Sequence, residues 1–400
     1  MSRLMTVVVE GYIAGGADRV LAQLLPYFQS LRIELLVNAN LDTGILLNQP
    51  LPANVSLRKY SWTTPASLGN WAVSTDSAAM ILPRRVLSVL LRYPVMVLLF
   101  LRFFRYFRKN RPELLFINNG GYPGGEACRM AAAAAVAHGG IRIVHLIHSM
   151  AIPALKLFQP MEWLIDRIIE RQGSLIAVSD AVARSISHDR KLKAKVITIY
   201  NGLPTAPLPL PPPCVKPLEF LQVGYMCQEK NQKFSILALS ILARQGFKDI
   251  RITFAGEEVE KGYLHTLTEL AKQLGVSDQV RFAGFVRDIE GMYPHCDAVL
   301  LTSTVEGMPM CILEAMRAGR AVIATAVGGV PEVIEHSRTG YLLKGADPAE
   351  LSKILKQLLD EPETLEQMGD NAYRLFLEKF TLDAQVGKYL ELINLPPLKK

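Results

Sequence analysis

LLTSTVEGMPMCILEAMRAGRAVIATAVGGVPEVIEHSRTGYLL, residues 300–343, alternates short apolar runs, polar loops and helical stretches. That alternation is the pattern of a parallel sheet with helical crossovers, an α/β fold. Residues 297–301 (DAVLL) are short and apolar, as a buried strand is, and residues 303–308 form a polar turn carrying Glu306 and Gly307. Pro309 stands in the first turn of a helix striped by Met310, Leu313, Ala315 and Met316 and ended by Gly319. A second strand, 321–325, runs into Gly328-Gly329, and Pro331 opens a further helix. Two helix N-termini thus follow two neighbouring strand ends, where open parallel sheets bind ligands and where free amides and helix dipoles favour an anion. Glu306 lies in the loop and Glu314 inside the helix, so two carboxylates approach one ligand from different directions.

Glu306, seven intervening residues and Glu314, set in EGMPMCILEAMRAGRAVIAT and followed by GGVPEVI, resemble the signature of the retaining glycosyltransferases of family four. The resemblance implies the GT-B fold, two facing Rossmann-like domains with a cleft between them. It also implies roles. Glu314 would hold the nucleotide ribose of a sugar donor, Glu306 would contact the sugar being transferred, and the Met310-Cys311 amides, beside Gly307, would hold the diphosphate. Two glutamates eight apart are ordinarily surface charge; the flanking glycines, proline and strands argue otherwise here.

The net charge of +7 is unevenly placed: residues 1–200 hold 23 Lys+Arg against 12 Asp+Glu, and the remainder is net acidic. A basic face suits nucleic acid or an anionic membrane. Residues 84–111 concentrate the charge, with Arg84, Arg85, Arg92, Arg102, Arg105, Arg108, Lys109 and Arg111 and no acid. Between them run VLSVLL and YPVMVLLFL, and the longest uncharged run, 93–101, is too short to cross a bilayer. Five aromatic residues lie among the arginines from Phe100 to Phe107, the composition of an interfacial membrane helix. The alternative is a helix packed on the sheet with its arginines reaching to water. Nucleic acid is disfavoured, because the aromatics sit within an aliphatic run. Five cysteines without paired or metal-like spacing read as free thiols, and no metal cluster is visible, so no metal or other cofactor is expected.

Residues 1–10 form a strand too brief for a signal peptide, so the chain is expected in the cytoplasm, and the basic stretch 84–111 is expected to make it peripheral on the inner face of the membrane. The glycine loop 11–18 follows, then an amphipathic helix over 19–31; the resemblance assigns Gly15 and Gly16 to the donor phosphates and acceptor. Strands are read at 33–37 and 55–60, whereas 62–77 shows no clear period. A strand at 114–118, an alanine-rich helix at 127–137 and a strand at 141–147 come next, with His148 at the strand's end. The resemblance makes His148 the group that reaches the sugar, and His145 reads as core. After a helix at 163–171 and a strand at 174–178, Ser179 caps another helix.

Residues 204–217 contain seven prolines and cannot be helix or central strand, so they mark a domain boundary. The division is therefore 1–203, an acceptor-binding domain; 204–217, a linker; 218–380, a nucleotide-sugar-binding domain; and 381–400, a helix returning to the first domain. After the strand 218–223 come Gly224 and Lys230, which the resemblance places at the donor diphosphate; Tyr225 stands where the family has arginine, and Pro204 where it has aspartate. Together these observations point to a retaining transferase acting on a nucleoside diphosphate sugar and a glycan or lipid-linked acceptor, a cell-surface precursor such as that of lipopolysaccharide. A non-catalytic sugar-nucleotide-binding scaffold and a sugar-nucleotide epimerase of similar architecture are the rivals.

Overall fold

β1 (Leu4–Glu10, LMTVVVE) is buried along its whole length, as a strand covered on both faces of a sheet must be. It sits mid-sheet in the computed structural model, which describes residues 3–10, 15–39, 50–75, 77–205, 216–345 and 347–394. Around it lie β2 (Arg32–Asn38), β3 (Val55–Tyr60), β4 (Leu114–Asn119), β5 (Arg142–Ile147), β6 (Ser174–Ala177) and β7 (Lys195–Thr198). All pair in parallel, in the order β3-β2-β1-β4-β5-β6-β7. The second sheet repeats the plan with β8 (Leu218–Val223), β9 (Ile250–Ala255), β10 (Val280–Gly284), β11 (Ala298–Leu301), β12 (Ala321–Thr325) and β13 (Gly340–Leu343), in the parallel order β10-β9-β8-β11-β12-β13. Each is a doubly wound, Rossmann-like sheet whose strand order reverses once, between β1 and β4 and between β8 and β11. Ligands of open parallel sheets bind at that reversal, outside the strands' carboxyl ends.

The chain divides into two compact units, residues 1–200 with 386–400, and residues 201–385. In the first unit the helices are α1 (Gly16–Leu24), α2 (Pro65–Val73), α3 (Ala78–Asn110), α4 (Glu126–His138), α5 (Gln159–Ile169) and α6 (Asp180–Asp189). In the second they are α7 (Gln232–Arg244), α8 (Tyr263–Gln273), α9 (Met310–Arg317), α10 (Pro348–Asp360) and α11 (Glu363–Lys379); α12 (Leu382–Asn394) begins there and ends in the first. The alanines of α4 are buried from Ala131 to Ala135, and their small side chains let the helix lie close against β1, β4 and β5. Phe220, Phe254, Ile252, Leu300 and Ile323 form the middle of the second core, with Leu239 and Leu355 brought in by α7 and α10.

Three readings need correction. Residues 65–73 are helical: Thr64 accepts from the Ser67 amide at 3.1 Å and Ser67 returns a bond to the Thr64 amide, a reciprocal cap with Pro65 opening the helix. Pro331 opens only a three-residue 3-10 turn, Val330–Glu332. The chain must reverse at Ser337, which has φ +63°, to begin β13 at Gly340, and too few residues remain for an α-helix. The second helix N-terminus expected beside the site is therefore absent. Finally, the basic stretch lies in one helix, α3, whose apolar length is not limited by the uncharged run: an 18-residue window reaches a mean hydropathy of 1.9, long and apolar enough to cross a membrane by length and composition. Its second half is a packed element, with Met96, Leu99, Phe103 and Phe107 buried along one face. Gly11 and its neighbours to 14, Cys214 and most of the proline run, 206–215, lie outside the described residues.

Candidate active site

In the second unit, the loops after β8 and β11 leave from the two sides of the strand-order reversal. Gly224 ends the β8 turn with φ +153°, a backbone conformation that favours glycine, and its α-carbon faces the Lys230 side chain. Gly256, at the end of β9, lies against it: a Cβ there would be 2.0 Å from the Gly224 carbonyl oxygen. Lys230 ends a short 3-10 turn, and its Nζ donates to Glu306 Oε1 at 2.7 Å. Burial alone would lower the lysine pKa, but the adjacent Glu306 carboxylate outweighs it and the net shift is upward. The cation is retained.

The Lys230 loop is fixed by buried side chains that sequence reasoning missed. Gln222 Nε2, on β8, donates to Thr302 Oγ1 at 2.9 Å and to the Lys230 carbonyl at 3.2 Å, and Ser235 Oγ donates to Gln222 Oε1 at 2.7 Å. Thr302 Oγ1 donates in turn to the Asn231 carbonyl at 3.0 Å. A glutamine at an inward position of a strand with apolar neighbours (LEFLQV) was the available signal, since a buried amide needs partners.

The Glu306 loop is held from the other side. Gly329 N–H donates to the Gly307 carbonyl at 3.1 Å, and Gly328, with φ +52°, presses so close that a Cβ would come 1.7 Å from the Glu306 carbonyl oxygen. Pro309 is the N-cap of α9 rather than its first helical residue, so Met310 and Cys311 occupy the first two helical positions, whose amides have no partner within the helix. Burial, with the charges of Glu306 and Glu314, pushes the Cys311 thiol pKa far up, so it stays a neutral thiol. Glu314 is buried one turn further along α9, where Tyr293 OH donates to its Oε2 at 2.5 Å. Tyr293 is a partner the sequence did not announce. A cavity of about 320 Å³ opens at the carboxyl ends of the neighbouring strands, lined by Met226, Gly256, Glu258, Leu264, Phe282 and Phe285.

The remaining predicted residues belong to the first unit. Gly15 is the N-cap of α1 and Gly16 its first residue; the Gly15 amide donates to Asp18 Oδ2 at 3.3 Å. His148 follows β5, half-buried, and its Nε2 is 2.8 Å from Asn118 Oδ1, so Nε2 carries the proton and Nδ1 is the accepting nitrogen. Asn118 Nδ2 donates to the Ala17 carbonyl at 3.1 Å, which ties His148 and the start of α1 to one buried amide. Burial pushes the His148 pKa down to about 3. His145 is wholly buried inside β5, a core residue as read. The structure thus gathers Gly224, Lys230, Glu306, Gly307, Met310, Cys311 and Glu314 in one unit, and Gly15, Gly16 and His148 in the other.

Comparison with known proteins finds two matching family models. Residues 214–375 match the family described as Glycosyl transferases group 1, and residues 14–206 match Glycosyltransferase Family 4. The N-acetyl-alpha-D-glucosaminyl L-malate synthase of Bacillus anthracis is 36% identical over 124 residues, 31% of this chain and 32% of that protein. The alpha-D-kanosaminyltransferase of Streptomyces kanamyceticus is 32% identical over 166 residues, 41% of this chain and 42% of that one. The chain thus spans less than half the length of the curated relatives it matches. Among solved structures, Anabaena HepE in complex with UDP superposes with a TM-score of 0.73 at 19% identity, covering 98% of this chain and 99% of that one. Sucrose-phosphate synthase from Thermosynechococcus elongatus gives 0.71 at 16% identity, covering 98% of each. These likenesses show the two-domain GT-B fold.

Proposed function

The chain belongs to the glycosyltransferases of group 1 and family 4, and from that premise we propose that it moves a sugar from a nucleoside diphosphate sugar to an acceptor hydroxyl with retention of configuration. The observation that carries this reading is the Lys230–Glu306 pair, held beside the N-terminus of α9 at the strand-order reversal, with Glu314 buried along the same helix. As the glycosidic bond breaks, negative charge grows on the leaving diphosphate. A fixed cation and the first amides of a helix aimed at that charge stabilise the transition state more than the ground state. Lys230 and the Met310-Cys311 amides fill those roles, Glu314 holds the ribose, and Glu306 positions the sugar. The cavity between Met226 and Phe285 has room for a base. UDP, bound by HepE, is the first nucleotide to try.

The acceptor is a lipid-linked or cell-surface glycan precursor met at an anionic membrane. The basic helix α3 supports this reading, because it carries seven Lys and Arg and no acid. The test is thermal stabilisation by a panel of nucleoside diphosphate sugars, comparing the native chain with Glu314→Ala. A shift selective for one donor and lost in the variant is expected. A donor shift that Glu314→Ala leaves intact would refute the assigned site, and donor binding without transfer to any glycolipid would favour a non-catalytic binder. The anomeric configuration of the product, read by NMR, tests retention.

A further inference from the structure

Helix α5 buries two acids and displays part of its apolar surface. Its buried residues are Glu162, Ile165, Asp166 and Ile169, whereas Met161, Trp163 and Leu164 face outward, Trp163 with 58% of its surface exposed. The inward acids are satisfied by an ionic cluster. Arg190 Nη2 donates to Glu162 Oε2 at 2.7 Å and to Asp166 Oδ2 at 2.8 Å, and Arg129 Nη2 donates to Glu162 Oε2 at 2.9 Å. Tyr122 OH donates to Asp166 Oδ1 at 2.6 Å. The chain leading into α5 continues the outward apolar face, with Ile152, Leu155 and Leu157 exposed, Leu157 at 82%. A helix in water normally turns its apolar stripe inward. Here two acids are sequestered beside Ile165 and Ile169, while Met161, Trp163 and Leu164 are displayed.

This face meets the first half of α3, where no side chain from 79 to 95 is fully buried and Leu82, Val86, Val89 and Leu90 stand out, Leu82 at 70%. The two segments touch: the Tyr93 and Phe158 rings are 5.8 Å apart, and Arg92 lies over the Phe158 ring and reaches Glu162. Monomeric soluble proteins rarely display apolar patches of this kind.

We propose that residues 152–164 are a second bilayer-contacting element, which together with the exposed face of α3 seats the first unit in the interfacial layer of an anionic membrane. The proposal deepens the membrane part of the reading above and does not depend on the donor site. Charge favours lipid over a second copy of the chain. Arg84, Arg85 and Lys156 border the apolar side chains, α3 has no acid, and the one acid within 152–164, Glu162, is buried. Two copies meeting through this face would bring like charges together, whereas anionic headgroups neutralise them and acyl chains take up the leucines and tryptophan.

The test is flotation of the full chain with phosphatidylcholine vesicles, with and without phosphatidylglycerol. Compared with the native chain are Leu157→Glu/Trp163→Glu in the second element and Leu82→Glu/Leu90→Glu in α3; all four side chains are exposed, so both variants retain their core. The native chain is expected to float with anionic vesicles, and each double variant to lose about tenfold or more of that partition. Flotation of Leu157→Glu/Trp163→Glu equal to native would overturn the second element while leaving α3 as the contact. A native chain that ignores both vesicle types would overturn membrane seating altogether. A native dimer that either variant dissociates would assign the face to a second copy instead. Because nucleotide stabilisation is read separately, loss of the donor reading leaves this result standing, and the reverse.

Discussion

His148 and His145 make the stability of the first unit depend on pH. Burial pushes them to about 3 and about 4, while the unfolded chain takes up the same protons near pH 6.5. Folded pKa values below unfolded ones mean that stability is full above about pH 6.5 and declines as pH falls toward those values. At pH 5 each histidine costs about 2 kcal/mol, at about 1.4 kcal/mol for each pH unit below 6.5. Urea unfolding at pH 7.5 and pH 5 should show that loss, and His148→Gln should reduce it by about 2 kcal/mol. An unchanged pH difference in the variant would mean that His148 protonates freely in the native state. Between pH 5 and 8 the native imidazole is therefore neutral, donating through Nε2 to Asn118 and offering Nδ1 as an acceptor.

At the scale of elements, the site depends on one loop pressing on another. Gly328 lies against the Glu306 carbonyl oxygen with a left-handed φ of +52°, so Gly328→Ala meets both a clash and backbone strain. Left-handed strain alone costs about 1–2 kcal/mol; displacement of the Glu306 loop comes in addition. Gly246→Ala is the control, because Gly246 also has a positive φ, +91°, but a Cβ there meets open space. Both variants should lose stability in urea, and Gly328→Ala alone should lose turnover as well. Equal turnover in the two would show that the Gly328-Gly329 turn does not hold Glu306. Elements were legible in the sequence where period and punctuation agreed, as at β11, β12 and the Ser179 cap of α6. They were not legible at α2, a short helix with a partly exposed surface, or at Pro331, where a proline that suits a helix start opens only a 3-10 turn because β13 begins so soon after.

At the scale of the whole molecule, the buried cluster of Arg129, Arg190, Glu162 and Asp166 joins α4, α5 and the end of α6 through charge. Such a cluster adds little net stability compared with a hydrophobic core, but removing one member leaves an uncompensated buried charge. Arg190→Met should therefore cost about 3–5 kcal/mol in urea unfolding, and a cost under 1 kcal/mol would mean that the carboxylates find water or another partner. The same variant should loosen α5, raising amide exchange there before elsewhere in the first unit. The division of the chain near Tyr200 and Gln385 shows the same hierarchy, with each unit built on its own sheet.

The sequence alone determined the α/β class and the strands and turns around residues 300–343, because strand alternation, glycine turns and proline positions are local properties of a chain. It also placed Lys230 after one strand and Glu306 after another. Only the tertiary structure decided that these side chains meet at 2.7 Å, because the contact depends on strand order, and β8 lies beside β11 through pairings between residues about eighty positions apart. The buried amide of Gln222, the Tyr293 hydroxyl on Glu314 and the buried acids of α5 were decided the same way. Burial is set by what packs on a side chain, and that information belongs to the neighbours rather than to the residue itself.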